Sequence, residues 1–179
     1  MLEQAHRLIA ENLRTKNPYL DLGNCGLTNL NELPDLFDCE HLETLVLSNS
    51  WFEFEKREIG IKRSQNKGAP NNLIKLPPQI YILSNLTKLI CAGEINYLGR
   101  ITDISFWKDL KSLTSLDLSF NRITNISFLK DLKYLTHLYL DYNEITDISF
   151  LEDLKDLSCL HLRLNQITDI SYLKDLNLN

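Results

Sequence analysis

The chain is poor in the residues that usually mark a site of chemistry. Its 179 residues hold four cysteines, six glycines and one methionine. Cys25, Cys39, Cys91 and Cys159 stand far apart, with no Cys-x-x-Cys pair. That excludes a dense disulfide framework and the common structural-zinc and redox spacings. The expectation is free thiols in a reducing, cytoplasmic compartment. The glycines form no phosphate-cradling loop, and no Gly-x-Ser-x-Gly elbow is present, so no enzymatic activity and no cofactor are expected.

A basic excess is missing as well. Nineteen Lys and Arg against 24 Asp and Glu give a formal charge of -5 at pH 7. The basic pairs Lys56-Arg57 and Lys62-Arg63 are interrupted by acidic and apolar residues, so neither nucleic acid nor an anionic membrane is expected as the main partner. No run approaches the roughly 18 consecutive apolar residues of a membrane span. Glu3, Gln4 and Glu11 stand where a signal peptide would need an uncharged apolar core.

What the chain does have is repetition. Three stretches recur at 22 residues: LTSLDLSFNRITNISFLKDLKY from Leu113, LTHLYLDYNEITDISFLEDLKD from Leu135 and LSCLHLRLNQITDISYLKDLNL from Leu157. Apolar residues fall at positions 1, 4, 6, 11, 14, 17 and 20 of each, with Asn at position 9. Leu-x-x-Leu-x-Leu has the period-2 alternation of a short strand, so Leu116 and Leu118 face one way and Asp117 the other. The following apolar residues advance by threes, which suits a turn and a 3₁₀-like segment. Each unit is therefore a coil with its apolar residues inside, and the coils stabilise one another by stacking. Asn121, Asn143 and Asn165 would form a ladder of amides that pair backbone groups at the bend.

Earlier units follow the template less strictly. Six repeats start at residues 17, 42, 86, 113, 135 and 157 and together occupy 17–178. Cys25 holds the Asn position of the first, and the second breaks after Leu47 and resumes at Asn71. The motif LxxLxLxxNxIxxIxxLxxL resembles the leucine-rich-repeat family. Its 22-residue form resembles the class shared by bacterial internalins and a eukaryotic phosphatase regulatory subunit. The ITDIS stretches at Ile101–Ser105, Ile145–Ser149 and Ile167–Ser171 are internalin-like, whereas LIKLPPQIYILSNL is similar to a 23-residue intracellular form. The resemblance implies an α/β repeat solenoid, a right-handed coil with a concave parallel sheet that binds proteins and a 3₁₀ or irregular convex side. It implies no chemistry.

Two regions lie outside the template. Residues 2–15 read as an amphipathic helix, with Leu2, Ala5, Ile9 and Leu13 on one side and Leu8 beside them; residues 1–16 are expected to cap the first coil. No comparable segment precedes Asn179, so the last coil is expected to be uncapped. It would then either continue into a longer protein or self-associate through that edge. Residues 50–70 interrupt the second repeat. Phe52 and Phe54 alternate with Glu53 and Glu55, then Ile59 and Ile61 with Gly60 and Lys62, a pattern that predicts a hairpin turning at Lys56-Arg57. Extra residues at 94–100 would lie against it.

The outward strand positions define the candidate site. Stacked strands lie about 4.8 Å apart, which gathers Asp117, Phe120, His137, Tyr139, Asp141, Tyr142, His161 and Arg163 into one patch on the last three repeats. Tyr and Arg are frequent interface anchors, and Tyr139, Tyr142 and Arg163 are expected to be exposed and to anchor a protein partner. The competing surface is Trp51, Phe52 and Phe54 on the insertion. His137, Cys159 and His161 could approach one another across neighbouring strands, but they lack a fourth ligand and match no common zinc spacing, so no metal is expected. A second function reading is a sensor or regulatory repeat arm of a larger multidomain protein, such as a GTPase or an immune-type receptor.

Overall fold

A computed structural model describes residues 2–55, 58–94, 101–102 and 104–178, with the backbone alone at 54–55, 58–59 and 105–106. Among them, six three-residue strands form one parallel sheet: β1 Tyr19–Asp21, β2 Thr44–Val46, β5 Lys88–Ile90, β6 Ser115–Asp117, β7 His137–Tyr139 and β8 Cys159–His161. The sheet order is β1-β2-β5-β6-β7-β8. Each register step joins equivalent repeat positions, as in Leu116↔Leu138 and Leu138↔Leu160. The convex side is built of 3₁₀ turns, among them Ser127–Asp131, Ser149–Asp153 and Ser171–Leu173. The ITDIS residues explain where these turns start. Asp147 Oδ1 accepts the Ser149 amide at 2.9 Å and Asp169 Oδ1 the Ser171 amide at 2.8 Å, pairing donors that the turn leaves free.

The core runs the length of the array. Leu116, Leu118, Leu138 and Leu140 have no exposed surface. The asparagine ladder forms as the motif requires. Asn143 Nδ2 donates to the Leu118 and Leu140 carbonyls at 3.0 Å each, and its Oδ1 accepts the Ile123 amide at 3.0 Å. Asn121 and Asn165 repeat the pattern one coil away on either side. Asn71, reached only after the insertion, takes the equivalent place in the second coil and donates to Leu22 and Leu47 at 2.7 and 2.8 Å.

A second ladder escaped the sequence reading. Thr87, Thr114, Thr136 and Ser158 occupy position 2 of successive repeats. The hydroxyls of Thr114, Thr136 and Ser158 each donate to the backbone carbonyl of the preceding coil's ladder residue, at 3.1, 3.0 and 3.2 Å. The signal was a hydroxyl at one fixed position, overshadowed by the leucines beside it.

Helix α1 (Glu3–Thr15) covers the first edge of the sheet, burying Ala5 and Ile9. Asn12, also buried, donates to the carbonyls of Asn17 and Tyr19 at 3.0 and 3.1 Å and so pairs edge groups of β1.

The insertion is an antiparallel hairpin, β3 (Ser50–Glu55) with β4 (Glu58–Arg63), in the register Phe52↔Ile61. Its return segment is tied to the first coil: Ser64 Oγ donates to the Gly23 carbonyl at 3.0 Å, and Asn66 Nδ2 to those of Asp21 and Gly23 at 2.9 Å. Gly23 is required there, since a Cβ would lie 2.1 Å from the Ser48 carbonyl oxygen. The expected turn at Lys56-Arg57, and all but the first of the extra residues at 94–100, lie outside the described residues.

Candidate functional site

The hairpin changes what the concave side presents. Phe52 reaches Phe120, with ring centroids 6.0 Å apart. Glu53 Oε1 accepts the Lys88 ammonium at 2.9 Å, and its Oε2 lies 3.6 Å from Lys62 Nζ. Those cations, Lys88 first, hold the Glu53 carboxyl below its ordinary pKa. Among the described residues, the hairpin is thereby fastened over the middle of the sheet by an aromatic contact and a shared carboxylate.

This placement corrects the expected exposure of four candidate residues. Asp117 is 3% exposed, Phe120 5%, and Tyr139 and Asp141 7% each. Asp117 and Tyr139 line a cavity closed on its other side by Phe52 and Glu53. Phe120 lies between Phe52 and Tyr142, stacked on the latter with centroids 4.4 Å apart and planes 17° from parallel. Asp141 is held by its neighbours: Oδ1 accepts the Arg163 amide at 2.6 Å, and Oδ2 lies 3.5 Å from His161 Nδ1. Alternation along a strand states only which face a side chain takes; a distant segment decides whether that face meets water. Tyr139 is therefore unsuited to be a freely exposed anchor.

The remaining candidates stay accessible. His137 and Arg163 are exposed, Tyr142 is 42% exposed and His161 is half-buried. Leu164, in the same row as Phe120 and Tyr142, is 63% exposed; it was not among the candidates, although the repeat register pointed to it. On the competing surface, Trp51 and Phe52 are half-buried, and the side chain of Phe54 lies outside the described residues.

Phe120, Tyr142 and Leu164 share a backbone feature, with φ of 59°, 56° and 54°. The left-handed region disfavours bulky side chains by about 1–2 kcal/mol per residue. Here the repeat imposes it, turning the chain from strand to bend one residue before each ladder Asn. The result is a row of large side chains along one lip of the concave side, buried at Phe120 and open at Leu164.

The thiols are held in their protonated form. Burial raises the thiol pKa of Cys25 and Cys39 to about 11 and also raises those of Cys91 and Cys159, the opposite of an activated nucleophile. Cys159 Sγ donates to Tyr139 Oη at 3.8 Å. Burial and the Lys88 charge lower the His137 pKa, while burial lifts the Asp117 carboxyl to about 6. Among the described residues there is no cluster of three or more metal-ligating side chains, and no helix is long and apolar enough to cross a membrane.

Residues 94–145 and 111–167 match the family described as Leucine rich repeat. The coils within residues 94–167 match leucine-rich repeats. Among solved structures, an internalin of Listeria monocytogenes, InlF, is 26% identical with a TM-score of 0.61, covering 81% of this chain and 36% of that one. A second internalin of that organism, InlC2, is 22% identical with a TM-score of 0.50, covering 97% and 89%. The crystal structure of PEPR1–AtPEP1 is 22% identical with a TM-score of 0.58, covering 80% and 18%. The likeness to the last two is one of fold. This chain spans about a third of the InlF chain. No curated protein matches the sequence. The internalin-like resemblance and the solenoid architecture therefore hold, and leucine-rich-repeat proteins generally act in protein–protein interaction rather than catalysis.

Proposed function

We propose that this leucine-rich-repeat chain is a non-catalytic binding module that recognises a protein through the concave side of its last three repeats. The observation that carries this reading is the open end of the lip. Tyr142 and Leu164 combine a left-handed backbone with 42% and 63% exposure, next to exposed Arg163. A face that only had to be solvated would be served by small polar residues, whereas aromatic, aliphatic and guanidinium groups together make an interface centre. The net charge of -5 disfavours nucleic acid and anionic membranes as the partner. Four free thiols support a reducing, cytoplasmic setting.

The residues to change follow from exposure. Tyr142→Ala with Arg163→Ala should leave folding nearly intact and weaken binding of a captured partner about thirtyfold, or ~2 kcal/mol. A chain lacking residues 51–69 tests the competing surface of Trp51, Phe52 and Phe54. If only the deletion loses binding, the interface belongs to the hairpin. A second reading, a sensor or regulatory repeat arm of a larger multidomain protein, draws support from proportions, since the chain spans 36% of InlF and 18% of PEPR1. In that setting the edge beyond β8 would pair with further repeats, and otherwise with a second copy. Reading the coding sequence past residue 179 distinguishes these cases.

A further inference from the structure

The asparagine ladder lacks a rung in the third coil, where position 9 of the repeat starting at Leu86 is Glu94. A regular rung serves two coils at once. Asn143 Nδ2 donates to the position-6 carbonyls of its own coil (Leu140) and of the preceding one (Leu118), and its Oδ1 accepts the position-11 amide of the preceding coil (Ile123). The Leu118 and Leu140 carbonyls thus each accept two rung amides. At the gap the pairing is incomplete. Among the described residues, the Leu47 carbonyl accepts one rung amide, from Asn71 at 2.8 Å, and the Cys91 carbonyl one, from Asn121 at 3.0 Å. The position-11 amides of Leu27, Ile101, Ile123 and Ile145 each donate to an Asn Oδ1. Their counterpart, the Leu73 amide, has no acceptor among the described residues. A Glu carboxylate cannot replace the rung, because it has no hydrogen to donate.

Where the rung is missing there is a cavity of about 290 Å³, lined by Leu47, Leu73 and Cys91 and bounded by the flanking rungs Asn71 and Asn121. That approaches the lower end of small-molecule pockets, roughly 300–1,000 Å³. Buried Leu47, Cys91 and Ile101 make its floor apolar, whereas Pro70 and Asn72, on its wall, are exposed. Glu94 is the one charged group among the described lining residues, which favours a neutral ligand over an anion.

The geometry points to a binding site for a small neutral molecule that carries a primary carboxamide on an apolar body. The carboxamide replaces the missing Asn side chain: its oxygen accepts the Leu73 amide, and its two N–H groups donate to the Leu47 and Cys91 carbonyls. The body lies against the side chains of Leu47, Leu73 and Ile101. A hydroxyl brings one donor and a carboxylate none, so neither pairs all three backbone groups. The site shares no residue with the open lip of Tyr142, Arg163 and Leu164, and its test is independent of the protein-binding face.

Benzamide is the probe. N,N-dimethylbenzamide keeps the ring and carbonyl and lacks both N–H groups, and benzoate keeps the ring and adds a charge. Each is titrated into the full chain and followed through the backbone amide resonances of Leu73, Cys91 and Ile101. Benzamide should give a saturable downfield shift at Leu73, whose amide gains an acceptor. It should also bind about tenfold or more tighter than either analogue, the loss expected for two hydrogen bonds. Glu94→Asn places an Asn at the repeat's own rung position. It should move the Leu73 resonance the same way without ligand and weaken benzamide about tenfold or more, with the melting temperature unchanged or raised. Equal affinity for benzamide and N,N-dimethylbenzamide overturns the proposal, as does the absence of a saturable shift at Leu73. Should Glu94→Asn disturb the fold, the two amides on the unaltered chain still decide, because they differ in the donors alone.

Discussion

The first and last strands of the array face the same physical problem and meet it differently. At the start, α1 lies over β1, and Leu20 and Leu22 are 4% and 0% exposed. At the end, the equivalent Leu160 and Leu162 of the last coil are only partly buried, as are Ile167, Tyr172 and Leu173. The motif residues are the same at both ends. A repeat side chain thus owes its burial to what stacks on each side of it, and the motif only makes it available for burial. The concave side shows the same contrast. Tyr139 lies under the hairpin at 7% exposure, and Tyr142, three residues on and at the lip, stays at 42%.

The largest expected effect sharpens the comparison of the two ends. Leu138→Ala, in an interior coil, should lower stability by about 2–5 kcal/mol, and Leu20→Ala should fall in the same range although β1 is a terminal strand. Leu160→Ala should cost clearly less, because its site is half in water already. Urea denaturation of the three variants is the measurement; equal losses at Leu138 and Leu160 would break the comparison.

The next effect concerns the covered part of the concave side. Burial raises the Asp117 carboxyl from an ordinary 3.8 to about 6, a difference on the order of 3 kcal/mol between its protonation states. A raised folded pKa means the protonated form is favoured on folding. Its stabilising contribution is complete below about pH 4 and lost as pH rises through about 6. Asp141 adds to the shift, whereas His161 and the bonds from Ser119 oppose it. Asp117→Asn should therefore stabilise the fold at pH 7 by up to about 2–3 kcal/mol, with the gain disappearing near pH 4. Thermal melts of both proteins across that window decide it, and a variant less stable at pH 7 would show that the carboxylate is favourably held.

The ladder returns the test to the array. Asn143→Ala should cost about 1–3 kcal/mol by leaving the Leu118 and Leu140 carbonyls and the Ile123 amide unpaired inside the protein. Asn165→Ala removes the same number of short bonds where its coil is partly exposed, so water replaces them and the loss should be smaller. Urea midpoints of the pair measure the ratio.

The smallest effect should not distinguish the ends at all. Asp147 and Asp169 start successive 3₁₀ turns from fully exposed positions, and the Ser149 and Ser171 amides hold both carboxyls below their ordinary pKa. A depressed folded pKa gives stability that is present above the ordinary carboxylate value and lost as pH falls through the folded one. Asp147→Ala and Asp169→Ala should each destabilise slightly and equally near neutral pH and not at all in strong acid. A clear difference between them would mean that these turns, too, depend on position in the array.

The amino-acid sequence by itself determined the coil, the strand register, the Asn ladder and the helix at the start, because each depends on local spacing: period 2 for a strand, steps of three for 3₁₀ turns, one amide per bend. It also contained the hairpin, in the alternation of residues 52–55 with 59–62. Where that hairpin lies was decided by tertiary structure alone. Contacts such as Phe52 with Phe120 and Glu53 with Lys88 join residues 35 to 68 apart, and no local period encodes such a pairing. That placement turned Tyr139 and Asp117 from a solvated face into the wall of a cavity, and it left Tyr142, Arg163 and Leu164 as the open part of the same sheet.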